Sequence, residues 1–330
     1  MYTPKQGLPT YTSEPCLAFA SVGHEFKVCD EAFKPLLRVC LPVPENPWVN
    51  KNSNRCYVID SANGLLLVWN ANIHNLSVCN PMTHEYTVLP LADVLRDSNE
   101  VVFGFGVSKI SGQYKIFYGA YIYETRSWSC YVYTLGGRGQ SWRSLVVPAL
   151  GRPIQQLMIA QFLNGNLHWL TSDLAGTKLI CCFDLETELF TNLSLPDKVE
   201  CHAELRILEE RLCFCTYASH IAIWRLNFYG DKNSWSKEYL FDNLPHGRGL
   251  LYPLKVVANG DLLYAARFNR NLFIYSRNTR TVVTNGRLQG YDLYSSNISF
   301  YTPSFVSLKA MGIHNVESLQ HKIVRDSLQN

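Results

Sequence analysis

A histidine beside a tryptophan is the first place in this sequence where chemistry could be sought. The stretch FLNGNLHWLT, residues 162–171, contains His168 next to Trp169. Histidine is the side chain whose ordinary proton exchange falls closest to neutral pH. If the stretch is a strand, alternation puts His168 on the face opposite Leu167 and Trp169. Because similar hairpins occur elsewhere in the chain, we expect His168 to be a hydrogen-bonded packing residue.

The eleven cysteines could ligate a metal or form disulfides. The pairs Cys181-Cys182 and Cys213-x-Cys215 have no second pair at the spacing of a zinc site. They lie in apolar strand-like runs, where cysteine acts as a small hydrophobic residue. The number of cysteines is odd, and the N-terminal residues lack the apolar segment of a signal peptide. We therefore predict reduced thiols, no metal site and a cytoplasmic and/or nuclear location.

Motifs of known catalytic and nucleotide sites are also missing from the sequence. It contains neither His-Glu-x-x-His nor Gly-x-Ser-x-Gly, and Gly104-Phe105-Gly106 lacks the third glycine of a dinucleotide loop. The formal net charge of +3, without a Lys/Arg run, gives no indication of nucleic-acid binding. No apolar run approaches the ~18 residues of a membrane span. The sequence thus predicts no catalytic residue, no cofactor, and neither a nucleic acid nor a membrane as partner.

The elements that would position these residues form a repeat of roughly 40 to 50 residues. Short strand-like runs alternate with turns, and Asn-Gly pairs at residues 63–64, 164–165 and 259–260 join the first two runs of three copies. A two-residue type I′ turn needs positive φ at both positions, which Asn and Gly tolerate. Two further copies, beginning near residues 102 and 204, are less regular.

Four strands in each repeat are typical of a β-propeller blade. We predict an all-β propeller of about six four-stranded blades, with five or seven as alternatives. One blade is shared: residues 16–42 supply three strands, and residues 298–308 supply the inner strand. Residues 1–15 are predicted to be disordered, residues 16–310 to form the propeller, and residues 311–330 to form a tail with a short C-terminal helix from Val316.

A hydrolytic propeller would need paired carboxylates near its central axis. The predicted inner strands carry almost no acid besides Asp60 and Glu204, which both lie near strand ends. Asp boxes of the sialidase type are absent as well. An enzyme is therefore the least favoured interpretation. A lectin-like propeller, which binds a small ligand, remains as an alternative to a protein-interaction module.

The repeats resemble the plant F-box-associated interaction domain, a kelch-like propeller. The resemblance covers about residues 50 to 310 and depends on motifs that follow the family's order: ANGLLLVWN and CNPMTHEYTVLP (62–90), FGFGVSKISGQYKIF (103–117), SWRSL (141–145), FLNGNLHWLT (162–171), ICCFDLETELFTNLSLP (180–196) and IAIWRLNFYGDKNSWSKEYLF (221–241).

This resemblance implies a non-enzymatic substrate receptor of an SCF-type ubiquitin ligase, whose propeller holds a protein substrate. In such proteins an F-box precedes the propeller and docks onto the SCF adaptor. Here residues 1–15 contain only Gly7-Leu8-Pro9 without a helix behind it. We expect the chain to lack an F-box, as a truncated product or a genuine F-box-less form, so that the adaptor is a partner only if an F-box lies upstream.

Specificity in a propeller lies in its loops. We call the arginine face the end where the loops into the inner strands and the loops between second and third strands lie; the opposite end is the turn face. Arginine and aromatic residues, the commonest interface anchors, occur in the loops of the arginine face. The predicted partner-binding residues are Trp48, Arg96, Arg126, Arg152, Arg248, Tyr252 and Arg270. The alternative is that these charges only solvate the loops.

Overall fold

Six sheets form the protein in a computed structural model. The structure describes residues 16–20, 25–30, 34–41, 56–70, 74–90, 100–136, 140–155, 157–196, 202–217, 220–241, 251–257, 259–266, 269–287 and 298–323. The sheets are antiparallel meanders, apart from one short parallel pairing described below. The prediction of a six-bladed propeller is confirmed. The predicted disorder of residues 1–15 lies outside the described residues.

The strands fall into blades in chain order. Blade 1 contains β1 (Cys16–Ala20), β2 (Glu25–Cys29) and β3 (Pro35–Cys40). Blade 2 contains β4 (Cys56–Ala62), β5 (Leu65–Asn70), β6 (Asn75–Asn80) and β7 (Glu85–Val88). Blade 3 contains β8 (Val101–Val107), β9 (Tyr114–Ile122), β10 (Ser127–Thr134) and β11 (Arg143–Leu145), and β12 (Leu157–Ile159) joins it.

The remaining blades follow the same order. Blade 4 contains β13 (Gln161–Leu163), β14 (Asn166–Ser172), β15 (Lys178–Asp184) and β16 (Phe190–Leu193). Blade 5 contains β17 (His202–Leu208), β18 (Arg211–Tyr217), β19 (Ile221–Leu226) and β20 (Trp235–Phe241), with a 3₁₀ turn at Lys232–Ser234. Blade 6 contains β21 (Leu251–Val256), β22 (Leu262–Ala266), β23 (Asn269–Tyr275) and β24 (Val282–Arg287). The C-terminal segment adds β25 (Ile298–Tyr301), β26 (Val316–Ser318) and β27 (Gln320–Ile323).

The strand segment at residues 157–163 is divided in two. The first half, β12, pairs in parallel with β8 of blade 3, and the second half, β13, pairs with β14 of blade 4. Ala160 lies at the break, where its N–H donates to the carbonyl oxygen of Phe103 at 2.7 Å. The division lets one segment satisfy backbone groups of two neighbouring blades.

Two of the three predicted Asn-Gly turns between inner and second strands have the predicted left-handed conformation. The third, at residues 259–260, belongs to a longer turn in which Gly260 N–H donates to the Val257 carbonyl oxygen and Val257 N–H to that of Asp261. The φ angles are 42° and 87° at Asn63 and Gly64, and 51° and 79° at Asn164 and Gly165. Blade 5 differs, because its two-residue turn consists of Glu209 and Glu210 with φ of 50° and 55°. Glutamate gains nothing from this region, so the turn keeps its two carboxylates at a cost in backbone strain.

Apolar side chains fill the gaps between neighbouring blades. Between blades 3 and 4, the Phe117 ring stacks on Trp169 at 5.1 Å and lies 5.0 Å from the Phe183 ring. Contacts of this kind add about 0.5–1.5 kcal/mol to the burial of the rings. The alternation expected in β14 holds, because Trp169 faces blade 3 and Leu170 joins the cluster with Leu205 of blade 5.

The ring closes through the C-terminal segment. Strand β25 pairs with β1, with Cys16 opposite Tyr301, and so supplies the predicted inner strand of blade 1. The chain then crosses the turn face, where Asn80 donates through Nδ2 to the carbonyl oxygens of Ser304 and Val306. Finally β26 adds to the outer edge of β7, and β27 adds to the outer edge of β3.

The predicted C-terminal helix is therefore wrong. Residues 316–318 and 320–323 form strands because two sheet edges beside them offer unpaired backbone groups. An isolated helix of this length has no comparable support. Leu319 between the two strands is 6% exposed and packs in the core shared by blades 1 and 2. No helix in the described part of the chain is long and apolar enough to cross a membrane.

Candidate functional site

His168 is held on both ring nitrogens. Its Nδ1 lies 3.1 Å from the carbonyl oxygen of Gln161, and its Nε2 lies 2.7 Å from the Tyr229 hydroxyl. A carbonyl only accepts, so Nδ1 carries the proton and Nε2 accepts from Tyr229. The ring is fully buried, and burial lowers its pKa to about 4. His168 is a neutral link between blades 4 and 5, as the packing interpretation expects.

The cysteines are free thiols in the part of the chain that the structure describes. Burial raises the pKa of Cys56 and Cys182 to about 12, so these groups are unreactive thiols at neutral pH. The described residues contain no group of three or more His, Cys, Asp and Glu that could hold a metal ion.

Two of the seven predicted partner-binding residues are exposed on the arginine face. Arg126 lies in the turn between β9 and β10 with φ of 53°, and Arg152 lies ahead of β12. The structure places Arg270 within β23 rather than in a loop, with its side chain outside the described residues. Three more fall outside the described residues altogether: Trp48, Arg96 and Arg248.

Tyr252 is not on the arginine face. It is the second residue of β21, is 4% exposed and lies beneath a guanidinium, with Cζ of Arg206 4.5 Å from its ring centroid. The loop boundary predicted at residue 252 is wrong because β21 begins at Leu251, where it pairs with Ala266 of β22. Tyr252 thus belongs to the wall of the central channel.

Arg152 is held at the surface by a buried acid and an exposed tyrosine. Its Nη2 donates to Glu100 at 2.8 Å and to the Tyr123 hydroxyl at 2.7 Å, and Cζ lies 5.1 Å from the Tyr123 ring centroid. The Glu100 side chain is 7% exposed and that of Arg152 64%. Hydrogen bonding to Glu100 raises the pKa of Arg152 above its ordinary value. The guanidinium is therefore oriented yet open to solvent.

The backbone below Arg152 is fixed between blades 3 and 4. Gly151 donates to the carbonyl oxygen of Ser172 at 2.8 Å, and Ser172 Oγ donates to the Arg152 carbonyl oxygen at 2.9 Å. The Trp128 indole N–H donates to the carbonyl oxygen of Gly151 at 2.9 Å. A Cβ on Gly151 would overlap the carbonyl oxygen of Asp173. This close approach requires glycine, and it limits the freedom of the following arginine.

Exposed aromatic and apolar side chains lie on the same face as this arginine. Tyr123 is 46% exposed, and its ring stands perpendicular to Tyr121 at 5.4 Å. Leu174, two residues beyond Ser172, is 73% exposed. We call Glu100, Tyr123, Arg126, Arg152 and Leu174 the Arg152 patch. A rigid arginine beside an exposed ring and an exposed leucine is suited to binding a protein surface.

The central channel is the second candidate. A cavity of about 560 Å³ lies among the inner strands β4, β13, β17, β21 and β25, with Leu17 of β1. Buried in its wall, Arg206 pairs with Glu204 at 2.7 Å and covers the Tyr252 ring. The sequence showed an arginine within the apolar run ELRIL, but not that it would pair with a residue of its own strand and stack on the next blade.

The acids predicted on the inner strands are engaged separately. Glu204 is paired with Arg206. Asp60, displaced by a bulge between Val58 and itself, accepts from Ser61 N at 2.8 Å and from Ser299 Oγ at 3.2 Å. Burial raises the pKa of Asp60 to about 7, and no neighbouring carboxylate contributes to that rise. The two acids therefore do not form the coupled pair of a glycosidase.

Comparisons with known proteins agree on one family. A family model described as the F-box associated beta propeller domain matches residues 39–293. An F-box protein of Arabidopsis thaliana is 29% identical over 222 residues, which are 58% of this chain and 52% of that protein. Another F-box protein of Arabidopsis thaliana is 25% identical over 227 residues, which are 68% and 54% of the two chains. The chain spans about half the length of these relatives.

The solved structures that this chain matches are distant. A catalytically inactive virginiamycin B lyase from Staphylococcus aureus, solved with quinupristin, is 11% identical, with a TM-score of 0.44 over 86% of this chain and 88% of its own. A post-proline cleaving enzyme from Rickettsia typhi is 12% identical, with a TM-score of 0.40 over 84% of this chain and 43% of its own.

Proposed function

The chain belongs to the F-box associated β-propeller family, and on that premise we propose that it is a non-enzymatic module that holds a protein substrate for an SCF-type ubiquitin ligase. The resemblance implies this division of labour, in which an F-box docks onto the adaptor and the propeller presents the substrate. The adaptor is a partner only if an F-box lies upstream of this propeller. The curated relatives are themselves F-box proteins.

The Arg152 patch is the observation that supports a protein partner. Its guanidinium is fixed by Glu100 and Tyr123, so little side-chain entropy remains to be lost when a partner binds. The described contacts use Nε and Nη2 of Arg152, so that Nη1 could donate to a carboxylate or carbonyl oxygen of a partner. We include Arg96, Arg248, Arg270 and Trp48 in the same proposed surface from their positions in the sequence.

The non-enzymatic part of the proposal is supported by the groups that could have done chemistry. His168 is buried and neutral, with both nitrogens engaged. Glu204 is neutralised by Arg206, and Asp60 carries no coupled carboxylate. We also propose a cytoplasmic and/or nuclear location, since free thiols persist in those compartments. A fluorescent fusion that accumulates in the secretory pathway would contradict that location.

Quantitative affinity purification from plant cells tests the surface. The Arg152→Ala variant should recover about thirtyfold less of the substrate protein, the effect of losing an interface hot spot. Because this variant removes the guanidinium that pairs with the buried Glu100, the double variant Glu100→Gln/Arg152→Ala is measured beside it. Arg280→Ala, an exposed arginine in the turn between β23 and β24, is the matched control. Equal recovery with all variants would remove the Arg152 patch from the proposal.

Ligase membership has a separate readout. A chain that carries an F-box upstream of this propeller should co-purify with the SCF adaptor and promote ubiquitination of the protein that the wild-type patch captures. Capture without ubiquitination in a reconstituted ligase would leave an interaction module and exclude the receptor role.

A further inference from the structure

The central channel has a mostly apolar wall near the turn face. Ile207 and Leu208 of β17, Leu254 of β21 and Phe300 of β25 line it, together with Phe162 of β13. Leu208 ends β17 beside its tight turn, whereas Ile298 begins β25, so the cavity extends along the channel, and its described lining includes no residue of the Arg152 patch. An apolar cavity of about 560 Å³ is of the size that holds a small ligand or an inserted side chain.

Charges in this lining are unbalanced. Arg206 is neutralised by Glu204 at 2.7 Å, and Glu209 at the rim is paired with Arg225 at 3.3 Å. Beyond these pairs, the described lining contributes two carboxylates and one ammonium: Asp60, Glu210 and Lys255. The surplus is negative, and it favours a cation.

Asp60 is the carboxylate best placed to meet that cation. The bulge in β4 places Asp60 in the channel wall, where its carboxylate accepts hydrogen bonds from the Ser61 amide and the Ser299 hydroxyl. Neither partner bears a charge, so an ionised Asp60 has lost water without gaining a counter-ion. The strained Glu209-Glu210 turn adds negative charge at the rim, where blades 2 and 4 use Asn-Gly.

We propose that the central channel binds a primary ammonium group on an apolar stem, with Asp60 as its counter-ion and the surrounding aliphatic and aromatic wall as the contact for the stem. The source is either the lysine side chain of a protein or a free alkylamine, since both present the same chemistry. This site lies away from the Arg152 patch and does not depend on a role in ubiquitination.

The titration of Asp60 gives the binding a signature. Burial holds its pKa at about 7, so a large part of the population is protonated at neutral pH. A bound ammonium stabilises the ionised form and lowers that pKa, which releases protons on binding. Arg206, Lys255, Glu209 and Glu210 are the other charged groups that line the cavity.

Calorimetric titration of the intact chain with n-hexylammonium chloride tests the proposal. Saturable binding is expected at pH 7, with proton release shown by enthalpies that differ between buffers of different ionisation enthalpy. The neutral analogue 1-hexanol should bind at least tenfold more weakly. The Asp60→Asn variant should lose about ten- to a hundredfold in affinity, the range for a hydrogen bond to a charged group. Glu124→Gln, exposed on the arginine face, should bind like the wild type.

A capped lysine, Nα-acetyl-lysine methylamide, distinguishes the two sources. Binding at least as tight as that of hexylammonium identifies a protein lysine, and weaker binding identifies a free amine. Absence of binding by both probes, equal binding of 1-hexanol, or an unchanged affinity in Asp60→Asn would overturn the proposal. Proton release needs only the wild-type chain, so its absence at pH 7 would overturn the proposal even if the variant failed to fold. Loss of the Arg152 interaction would leave this result unaffected.

Discussion

Replacing Asp60 by Asn should change how the stability of this propeller depends on pH. The carboxyl has a pKa of about 7 in the folded chain against an ordinary value of 3.8, because burial disfavours its charge. The native state therefore binds more protons than the unfolded state between about pH 4 and 7. The contribution of Asp60 to stability is greatest at low pH and falls as pH rises through that window. Asn retains the acceptor for Ser61 and Ser299 but has no proton to lose.

The two pKa values give the magnitude. When the proton linkage from these two pKa values is integrated from pH 5 to pH 8, the free energy of unfolding of the wild type falls by about 2.5 kcal/mol, and that of the variant does not. For 330 residues this corresponds to roughly 4 °C in the unfolding midpoint. The measured quantity is the free energy of unfolding of the variant minus that of the wild type at pH 8, less the same difference at pH 5. Titratable groups common to both chains then cancel.

Urea unfolding and thermal unfolding at the two pH values supply the assay. The variant should gain on the wild type as pH rises, whereas Glu124→Gln, exposed on the arginine face, should show no such gain. A difference below about 0.5 kcal/mol, or one of opposite sign, would mean that Asp60 is not buried without a counter-ion.

Two more predictions concern the turn face and the link between blades. Gly64→Ala should destabilise the protein by about 2 kcal/mol or more in urea unfolding, because its φ is 87° and a Cβ would overlap Ser304. Gly176 has a φ of 83° and open space around it, so Gly176→Ala should show the backbone cost alone, about 1 kcal/mol. Equal losses in the two glycine variants would show that Ser304 does not press on the turn. The pKa of His168 is lowered to about 4 from 6.5, so the wild type loses stability as pH falls through that interval. His168→Gln should flatten this loss in unfolding midpoints measured at pH 4.5 and 7, and an unchanged slope would show that His168 does not titrate there.

Local chemistry made part of this fold predictable. Asn-Gly at residues 63–64 and 164–165 specifies a left-handed two-residue turn, and the structure has it at both places. The turn at Glu209 and Glu210 could not be identified in this way, because nothing in two glutamates favours positive φ. There the pairing of β17 with β18 imposes the conformation.

Features that depend on distant partners were the ones missed. Residues 316–323 became strands because β7 and β3 offer free edges, which no local pattern reveals. Tyr252 lies beneath Arg206 because the channel brings blades 5 and 6 together. The sequence predicted that Arg152 lies in a loop. It did not predict the hydrogen bonds to Glu100 and Ser172, because these residues are 52 and 20 positions away along the chain.

The closure of blade 1 has a consequence for biosynthesis. Strand β3 ends at Cys40 and β25 begins at Ile298, so 257 residues separate an unfinished sheet from its inner strand. At ~5–20 residues per second, a ribosome takes about 13 to 50 s to make them. Throughout that time the apolar edge of β1 has no strand to pair with, while blades 2 to 6 emerge complete and in order. The inner edge of β1 is thus left unpaired longest, and the ring can close only after β25 has been made.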